Sequence, residues 1–201
     1  MDFSQSTNSD GAKDALSHAL QENFRQILEA YSRPGSVIAL PHHEHPAALQ
    51  FLVNVLDESV SFLDHHQQLS VKQGRYLQAK TASIAEAQFI YLDGKQPSES
   101  NFHPALGSLS SPELSASLVI EVSHLNDTPS NCSVLSLEGP GIQNEKTITV
   151  KGLHPDWLRL RAQWVSHFPL GLEFVLCAGD KLLVLTRTTK VTIKESEAWP
   201  M

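Results

Sequence analysis

The chain has 201 residues, a hydrophobic share of 41%, a charged share of 18% and a formal net charge of −7. This composition is typical of a globular protein with one core of ordinary size, and it excludes a disordered chain. The excess of acidic residues disfavours nucleic acid or an anionic membrane as partner, because both require concentrated positive charge. We expect neither partner, but a small local anion site is compatible with this balance.

The N-terminal stretch MDFSQSTNSDGAKD is polar and lacks both the basic start and the apolar segment of a signal peptide. No apolar run approaches the length of a membrane-spanning helix. Cys132 and Cys177 form neither a CxxC motif nor a dense disulfide framework, which favours a reducing compartment. The sequence thus predicts a cytoplasmic protein with a flexible leader over residues 1–11 and a single domain over residues 12–201.

Helices and strands alternate along the first half of the chain. The segment 36–40 predicts a strand, 46–56 a helix, and 59–63 and 87–92 two further strands, while 64–86 is helical or irregular. The segment 94–113 is rich in Gly, Pro and Ser, and its length favours a functional or interfacial loop. Before these elements, one apolar face of a helix is predicted by residues at steps of three and four: Leu16, Leu20, Phe24, Ile27, Leu28 and Tyr31.

Antiparallel strands are the main prediction for the second half. A strand over 117–125 is followed by two strands on either side of a Gly-Pro-Gly turn at 139–141, and then by a helix over 154–167. The runs FVLC and LLVL flank the residues 178–181, which predicts a tight hairpin. Together the two halves predict an α/β fold, a single domain whose mixed sheet of parallel and antiparallel strands is flanked by helices.

Histidines form two clusters that resemble metal ligands. Imidazole and carboxylate groups suit zinc or nickel, but adjacent histidines in a loop cannot all point at one ion, and no HExxH motif is present. We favour solvated loops over a metal site and predict no bound metal. The residues concerned are His42, His43, Glu44 and His45 in one cluster and His65 and His66 in the other.

Nucleophilic and phosphate-binding motifs are weak in this sequence. It contains no GxSxG motif, and Cys177 lies within an apolar strand where core packing is the favoured interpretation. The GPGI segment at 139–142 resembles a backbone nest for phosphate, but it lacks the Lys-Ser/Thr of a P-loop and lies between two strands. A structural turn is therefore favoured, and the residues predict no catalytic set.

Arg187, Thr188 and Thr189 follow the second strand of the predicted hairpin. A guanidinium with two neighbouring hydroxyls suits a phosphate or a carboxylate ligand. The alternative is an Arg that pairs with a nearby carboxylate while the β-branched threonines continue the strand. Chemistry favours the second interpretation and leaves both open.

Three groups of segments carry a resemblance to one family. They are FRQILEAYSRPGSVIAL, then LEGPGI with the later KGL, and above all FPLGLEFVLC followed by LLVLTRTTKV. In this order and spacing they resemble the PhnH family, the H subunit of the bacterial carbon–phosphorus lyase core complex, from about residue 21 to about residue 193. The family usually has Asp at the position of Glu173 and Pro at the position of Thr186.

The resemblance implies that the fold is a reduced form of the large domain of pyridoxal-phosphate-dependent transferases, without the cofactor site. It also implies that the protein forms homodimers. It further implies that the protein binds no cofactor. Members of the family work in a complex with the G, I and J subunits, often together with K and L. These proteins help to transfer the ribose triphosphate of ATP to a phosphonate, which yields ribose 1-phosphonate 5-triphosphate. A separate iron–sulfur subunit later cleaves the carbon–phosphorus bond, and two cysteines are too few to ligate such a cluster in this chain.

Two functional hypotheses follow for the chain. The first is a non-catalytic, dimeric assembly subunit, with the 94–113 loop and the C-terminal hairpin as contact surfaces. The second is a subunit that binds a phosphate, a phosphonate or a nucleotide directly, through Arg187, Thr188 and Thr189.

Overall fold

The computed structural model describes residues 7–41, 45–126 and 131–195, with the backbone alone over residues 7–16. Its helices are α1 Thr7–Ser32, α2 Ala47–Val55, α3 Val71–Gly74 and α4 Pro155–Trp164. Its strands are β1 Ile38–Ala39, β2 Ser61–Asp64, β3 Lys80–Thr81, β4 Phe89–Asp93, β5 Ser117–Glu121, β6 His124–Leu125, β7 Ser133–Glu138, β8 Lys146–Lys151, β9 Glu173–Ala178, β10 Lys181–Leu185 and β11 Lys190–Glu195. Within these ranges, none of the helices combines the length and apolarity that crossing a bilayer requires.

A seven-stranded mixed sheet forms the centre of the fold, in the order β1-β10-β9-β5-β4-β2-β3. The neighbouring strands β3, β2, β4, β5 and β9 pair in parallel, while β10 and β1 add an antiparallel edge. The predicted α/β class with a mixed sheet is therefore confirmed. A second sheet, in the order β11-β7-β8-β6, is entirely antiparallel. The sequence predicted a single mixed sheet, so this separate sheet was not expected.

The central strands are buried on both faces, and alternate residues point to different layers. In β9, Phe174 and Leu176 pack toward α4 and the smaller sheet, whereas Val175 and Cys177 pack toward α1 and α2. Because both faces are covered, such strands read as continuous apolar runs. Cys177 is 1% exposed, which confirms core packing, and burial raises the pKa of its thiol.

The helix α1 presents only part of its predicted apolar face to the core. Ile27 and Ala30 are buried beside α2, but Phe24 and Leu28 are 48% and 52% exposed. The helix begins at Thr7, inside the segment expected to be a flexible leader. Periodicity thus located the helix, while its orientation depends on the sheet and on α2, which the pattern does not encode.

The predicted strand over 117–125 is wrong as one element, since the structure divides it between the two sheets. The N–H of Val122 still donates to the carbonyl of Cys177 in the larger sheet, at 2.8 Å. The N–H of Ser123 already donates to the carbonyl of Lys151 in the smaller sheet, at 2.7 Å. The chain therefore changes partner between these two residues while its apolar sequence continues.

Most other predicted elements are confirmed with shifted ends. The helix α2 lies within 46–56, the hairpin β9–β10 turns at Gly179 and Asp180, and β7 and β8 pair across the Gly-Pro-Gly turn. The strand expected over 36–40 shrinks to two residues. The loop after β4 ends in a 3₁₀ turn, Pro112–Leu114, next to a bridge between Leu106 and Ser115.

Candidate functional site

The segment 186–189 links the two sheets, because β10 of the larger sheet ends at Leu185 and β11 of the smaller sheet begins at Lys190. The N–H of Thr189 donates to the carbonyl of Thr186 at 2.9 Å. The hydroxyl of Thr186 lies 3.0 Å from that of Thr188 and 2.9 Å from that of Thr189. Hydroxyl side chains commonly stabilise turns in this way. The expectation that these threonines continue a strand is therefore wrong, and they form a turn.

Arg187 in this turn forms an ion pair with Glu173 at the start of β9. Its Nε donates to one carboxylate oxygen of Glu173 at 2.7 Å, and its backbone N–H donates to the other at 2.7 Å. The two side chains are only 18% and 15% exposed. The interpretation in which Arg187 pairs with a carboxylate is confirmed.

The remaining donors of Arg187 bind two other segments. Its Nη1 donates to the carbonyls of Pro112 at 2.8 Å and of Pro169 at 3.2 Å, and its Nη2 donates to the hydroxyl of Ser115 at 2.8 Å. A guanidinium has five N–H groups, so at least four of those of Arg187 have partners within the chain. The group thus ties residues 112–115 and the Phe168-Pro169 segment to β9.

A surface groove of about 390 Å³ nevertheless opens beside this turn. It is lined by Val165, Phe168, Arg187, Thr188, Thr189 and Lys190. The three residues predicted as an anion site therefore do lie together at a concave surface. The donor fork of Arg187, which motivated that prediction, points into the protein.

A second arginine, Arg161 of α4, supports the same turn from the interior. It is 2% exposed, and its Nη2 donates to the carbonyls of Thr186 and Thr189, the latter at 3.0 Å. Its guanidinium carbon lies 5.8 Å from the centre of the Phe174 ring. Burial lowers the pKa of Arg161 to about 10, and the charge of Glu173 opposes that shift. Sequence reasoning missed this role, although an Arg on the apolar face of a short helix was visible.

The Gly-Pro-Gly turn at 139–141 packs against the same region. A Cβ on Gly139 would lie 2.8 Å from the carbonyl oxygen of Thr188, and one on Gly141 would collide with that of Ser32. Both glycines have positive φ, 142° and 81°, which glycine adopts readily. The structural interpretation of this turn is confirmed. It joins the end of α1 to the 186–189 segment, so the sequence groups that carried the family resemblance meet in space.

The histidine pair after β2 is engaged in internal contacts. The rings of His65 and His66 lie 4.5 Å apart, and Nδ1 of His66 accepts a hydrogen bond from the N–H of Asp93 at 3.0 Å. Burial lowers the pKa of His65, and neighbouring His66 acts in the same direction. These contacts place the pair in the packing at the ends of β2 and β4.

The other histidine cluster is only partly described. His45 is exposed, whereas His42, His43 and Glu44 lie outside the described residues. Over residues 7–41, 45–126 and 131–195, no group of three or more His, Cys, Asp or Glu is placed to hold a metal ion.

A buried tyrosine–glutamate pair also went unpredicted. The hydroxyl of Tyr91, a residue only 5% exposed, donates to Oε2 of Glu121. Burial, followed by this hydrogen bond, raises the pKa of the Tyr91 hydroxyl. The two side chains belong to adjacent parallel strands, β4 and β5, and the pair satisfies polar groups inside the core.

Comparison with known proteins matches the chain to a family of phosphonate metabolism proteins. The model of the family "Bacterial phosphonate metabolism protein (PhnH)" matches residues 11–192. A putative C–P lyase subunit protein, HtxG, from Stutzerimonas stutzeri is 37% identical over 174 residues, which cover 87% of this chain and 86% of that protein. The alpha-D-ribose 1-methylphosphonate 5-triphosphate synthase subunit PhnH of Rhizobium meliloti (strain 1021) is 40% identical over 87 residues, 43% of this chain and 42% of that protein.

Proposed function

The chain belongs to the family of bacterial phosphonate metabolism proteins, PhnH, and we propose that it is a subunit of a carbon–phosphorus lyase core complex. Its proposed role is that of a non-catalytic, dimeric assembly component. In that role it supports formation of ribose 1-phosphonate 5-triphosphate from ATP and a phosphonate. The G, I and J subunits are the proposed partners, and the cytoplasm is the proposed location.

The fold is also proposed to be a reduced form of the large domain of pyridoxal-phosphate-dependent transferases, acting without a cofactor. The larger sheet has a core of parallel strands, with α1 and α2 on one face and α4 with the smaller sheet on the other, and this arrangement supports the relationship. Fold likeness does not carry an activity with it. The functional proposal therefore depends on surfaces and contacts instead.

Exposed apolar side chains on or next to the segments that Arg187 binds are the observation that carries the assembly proposal. Leu109 is 77%, Leu114 59% and Phe168 70% exposed. Leu114 ends the 3₁₀ turn that starts at Pro112, and Phe168 directly precedes Pro169. Because Arg187 donates to the carbonyls of Pro112 and Pro169, it holds both of these segments. Large apolar residues that are exposed on fixed segments are typical of protein contact sites. We name Leu109, Leu114 and Phe168 the apolar contact surface.

The two segments of this surface are held together by more than Arg187. The N–H of Gly171 donates to the carbonyl of Leu106 at 3.0 Å, and Leu106 forms a bridge with Ser115. The surface therefore combines the 94–113 loop with the entry to the β9–β10 hairpin, the two regions expected to contact partners. A prearranged surface loses little entropy on binding.

Co-purification tests the assembly proposal. The tagged full-length chain, co-expressed with the G, I and J subunits, is expected to retain all three through affinity and size-exclusion steps. A chain that elutes without any of them when all four are produced would refute the proposal.

Direct binding of a phosphate, a phosphonate or a nucleotide at Arg187, Thr188 and Thr189 is the second candidate function. The groove that these residues line with Lys190 favours it. Because the donors of Arg187 are occupied, Thr188 and Lys190 are the main polar groups that the groove offers to a ligand. Direct binding is therefore the weaker candidate function.

A further inference from the structure

A second groove, of about 290 Å³, lies between residues 98–103 and the outer face of α4. The segment after β4 is anchored to this helix by Nε1 of Trp157, which donates to the carbonyl of Gln96 at 2.9 Å. The ring of Phe102 packs against Trp157 and Trp164, with centroids 5.1 and 6.1 Å apart. Buried aromatic contacts thus hold the two walls of the groove in place.

The topology of the larger sheet places this groove near a preferred ligand position. β2 lies between β3 and β4, so the chain leaves β2 in one direction and leaves β4 in the other. In open α/β sheets, ligands bind outside the carboxyl ends of strands at such a reversal. The 98–103 segment follows the carboxyl end of β4, and Glu99 on the groove lies 3.9 Å from His65, which directly follows β2.

Donor groups line the groove and keep hydrogen-bonding capacity. Arg159 and Gln163 lie four residues apart on α4 and so share one face of the helix. Within the described ranges, the guanidinium of Arg159 pairs only with Asp156, through Nη2 at 3.2 Å, which leaves most of its five N–H groups available. The side chains of Gln163 and of His103 on the opposite wall have no hydrogen-bond partner within the described part of the chain.

This arrangement contrasts with the turn at Arg187. There the arginine side chain is 18% exposed and its guanidinium donates to groups within the chain, whereas the side chain of Arg159 is 60% exposed. A ligand can approach Arg159 without breaking a buried contact. The guanidinium is also the side chain best matched to the oxygens of phosphate and related anions.

We propose that this groove binds an organic phosphate or phosphonate. Arg159, Gln163 and His103 donate hydrogen bonds to its oxygens, while the organic part lies against the apolar side of Leu160 and Trp164. The carboxylate of Glu99 also lines the groove and accepts a hydrogen bond from a hydroxyl of the organic part. Because this hydrogen bond lies beyond the phosphoryl group, a hydroxylated organic phosphate gains a contact that inorganic phosphate at the same position does not make. The proposal goes beyond assembly and does not depend on it.

Calorimetric titration of the full-length chain tests the proposal with four probes: ribose 5-phosphate, ATP, methylphosphonate and inorganic phosphate. Ribose 5-phosphate is expected to bind more tightly than inorganic phosphate, and comparison with ATP and methylphosphonate identifies which organic group is accepted. Arg159→Ala is expected to weaken binding about tenfold or more, since a charge-assisted hydrogen bond is lost. Its folding is checked by thermal melting, which an exposed side chain should leave unchanged.

Arg33→Ala is the matched control, because the side chain of Arg33 is also exposed, at 69%, and also pairs with a nearby carboxylate, that of Glu29 in α1. Equal weakening in both variants would show a general charge effect and overturn the proposal. Failure of all four probes to bind the wild-type chain would overturn it too, as would loss of binding in Arg187→Lys with full binding in Arg159→Ala. Arg159→Ala should still co-purify with the other subunits, so failure of assembly and failure of this site are separate results.

Discussion

Replacing Arg187 with alanine is expected to lower the free energy of unfolding by about 3 kcal/mol. The substitution leaves the carboxylate of Glu173, which is 15% exposed, without its partner. It also removes the donors that bind the carbonyls of Pro112 and Pro169 and the hydroxyl of Ser115. Unmatched polar groups at such a site cost more than the ion pair itself contributes. Urea unfolding of the purified wild-type and variant chains measures the difference.

Lys190→Ala controls for the loss of a positive charge in the same region. Lys190 pairs with Glu138, but the two side chains are 71% and 51% exposed, so we expect a change of about 0.5 kcal/mol or less. Arg187→Lys should not restore the wild-type value, because an ammonium cannot reach four partners in the geometry of the fork. An Arg187→Ala variant as stable as Lys190→Ala would show that the contacts of Arg187 are not structural.

The double variant Leu114→Asp with Phe168→Asp is expected to reduce co-purification with the other subunits about tenfold or more. A carboxylate at each position places charge in the middle of the proposed contact and must be desolvated when a partner binds. Both side chains are exposed, at 59% and 70%, so the isolated chain should keep its stability. The measurement is the yield of partner subunits per tagged chain, after equal expression of each variant.

Val71→Asp with Tyr76→Asp is the matched control for this experiment. These residues are 77% and 65% exposed, and they belong to the short α3 region, far in sequence from the apolar contact surface. We expect wild-type yields of the complex from this control. An equal loss in both double variants would mean that added charge acts through solubility or expression and not through a specific surface.

The spacing of apolar residues along the sequence predicted much of the fold, because this spacing reflects which side chains are buried. The run from Phe174 to Cys177 is apolar throughout, as expected for a strand covered on both faces, and its hairpin partner follows after two turn residues. The same reasoning failed between Ser117 and Leu125. The sequence stays strand-like there, while hydrogen bonds to two different sheets divide it.

The function of Arg187 could not be predicted from its neighbours in sequence. Its partners Glu173 and Pro169 lie 14 and 18 residues away, and Ser115 and Pro112 lie 72 and 75 residues away. Residue type correctly indicated a fork of donors that binds oxygen atoms. Only the folded chain shows that those oxygens belong to the protein, and that the Gly-Pro-Gly turn packs on the same segment.

The most direct test of the assembly account is amide hydrogen exchange of the full-length chain, free and in the co-purified complex. We expect slower exchange on complex formation over residues 106–115 and 166–171, the segments that carry the apolar contact surface. Residues 71–76 should exchange at the same rate in both states. Unchanged exchange in both segments, with protection appearing elsewhere in the chain, would show that partners bind a different surface.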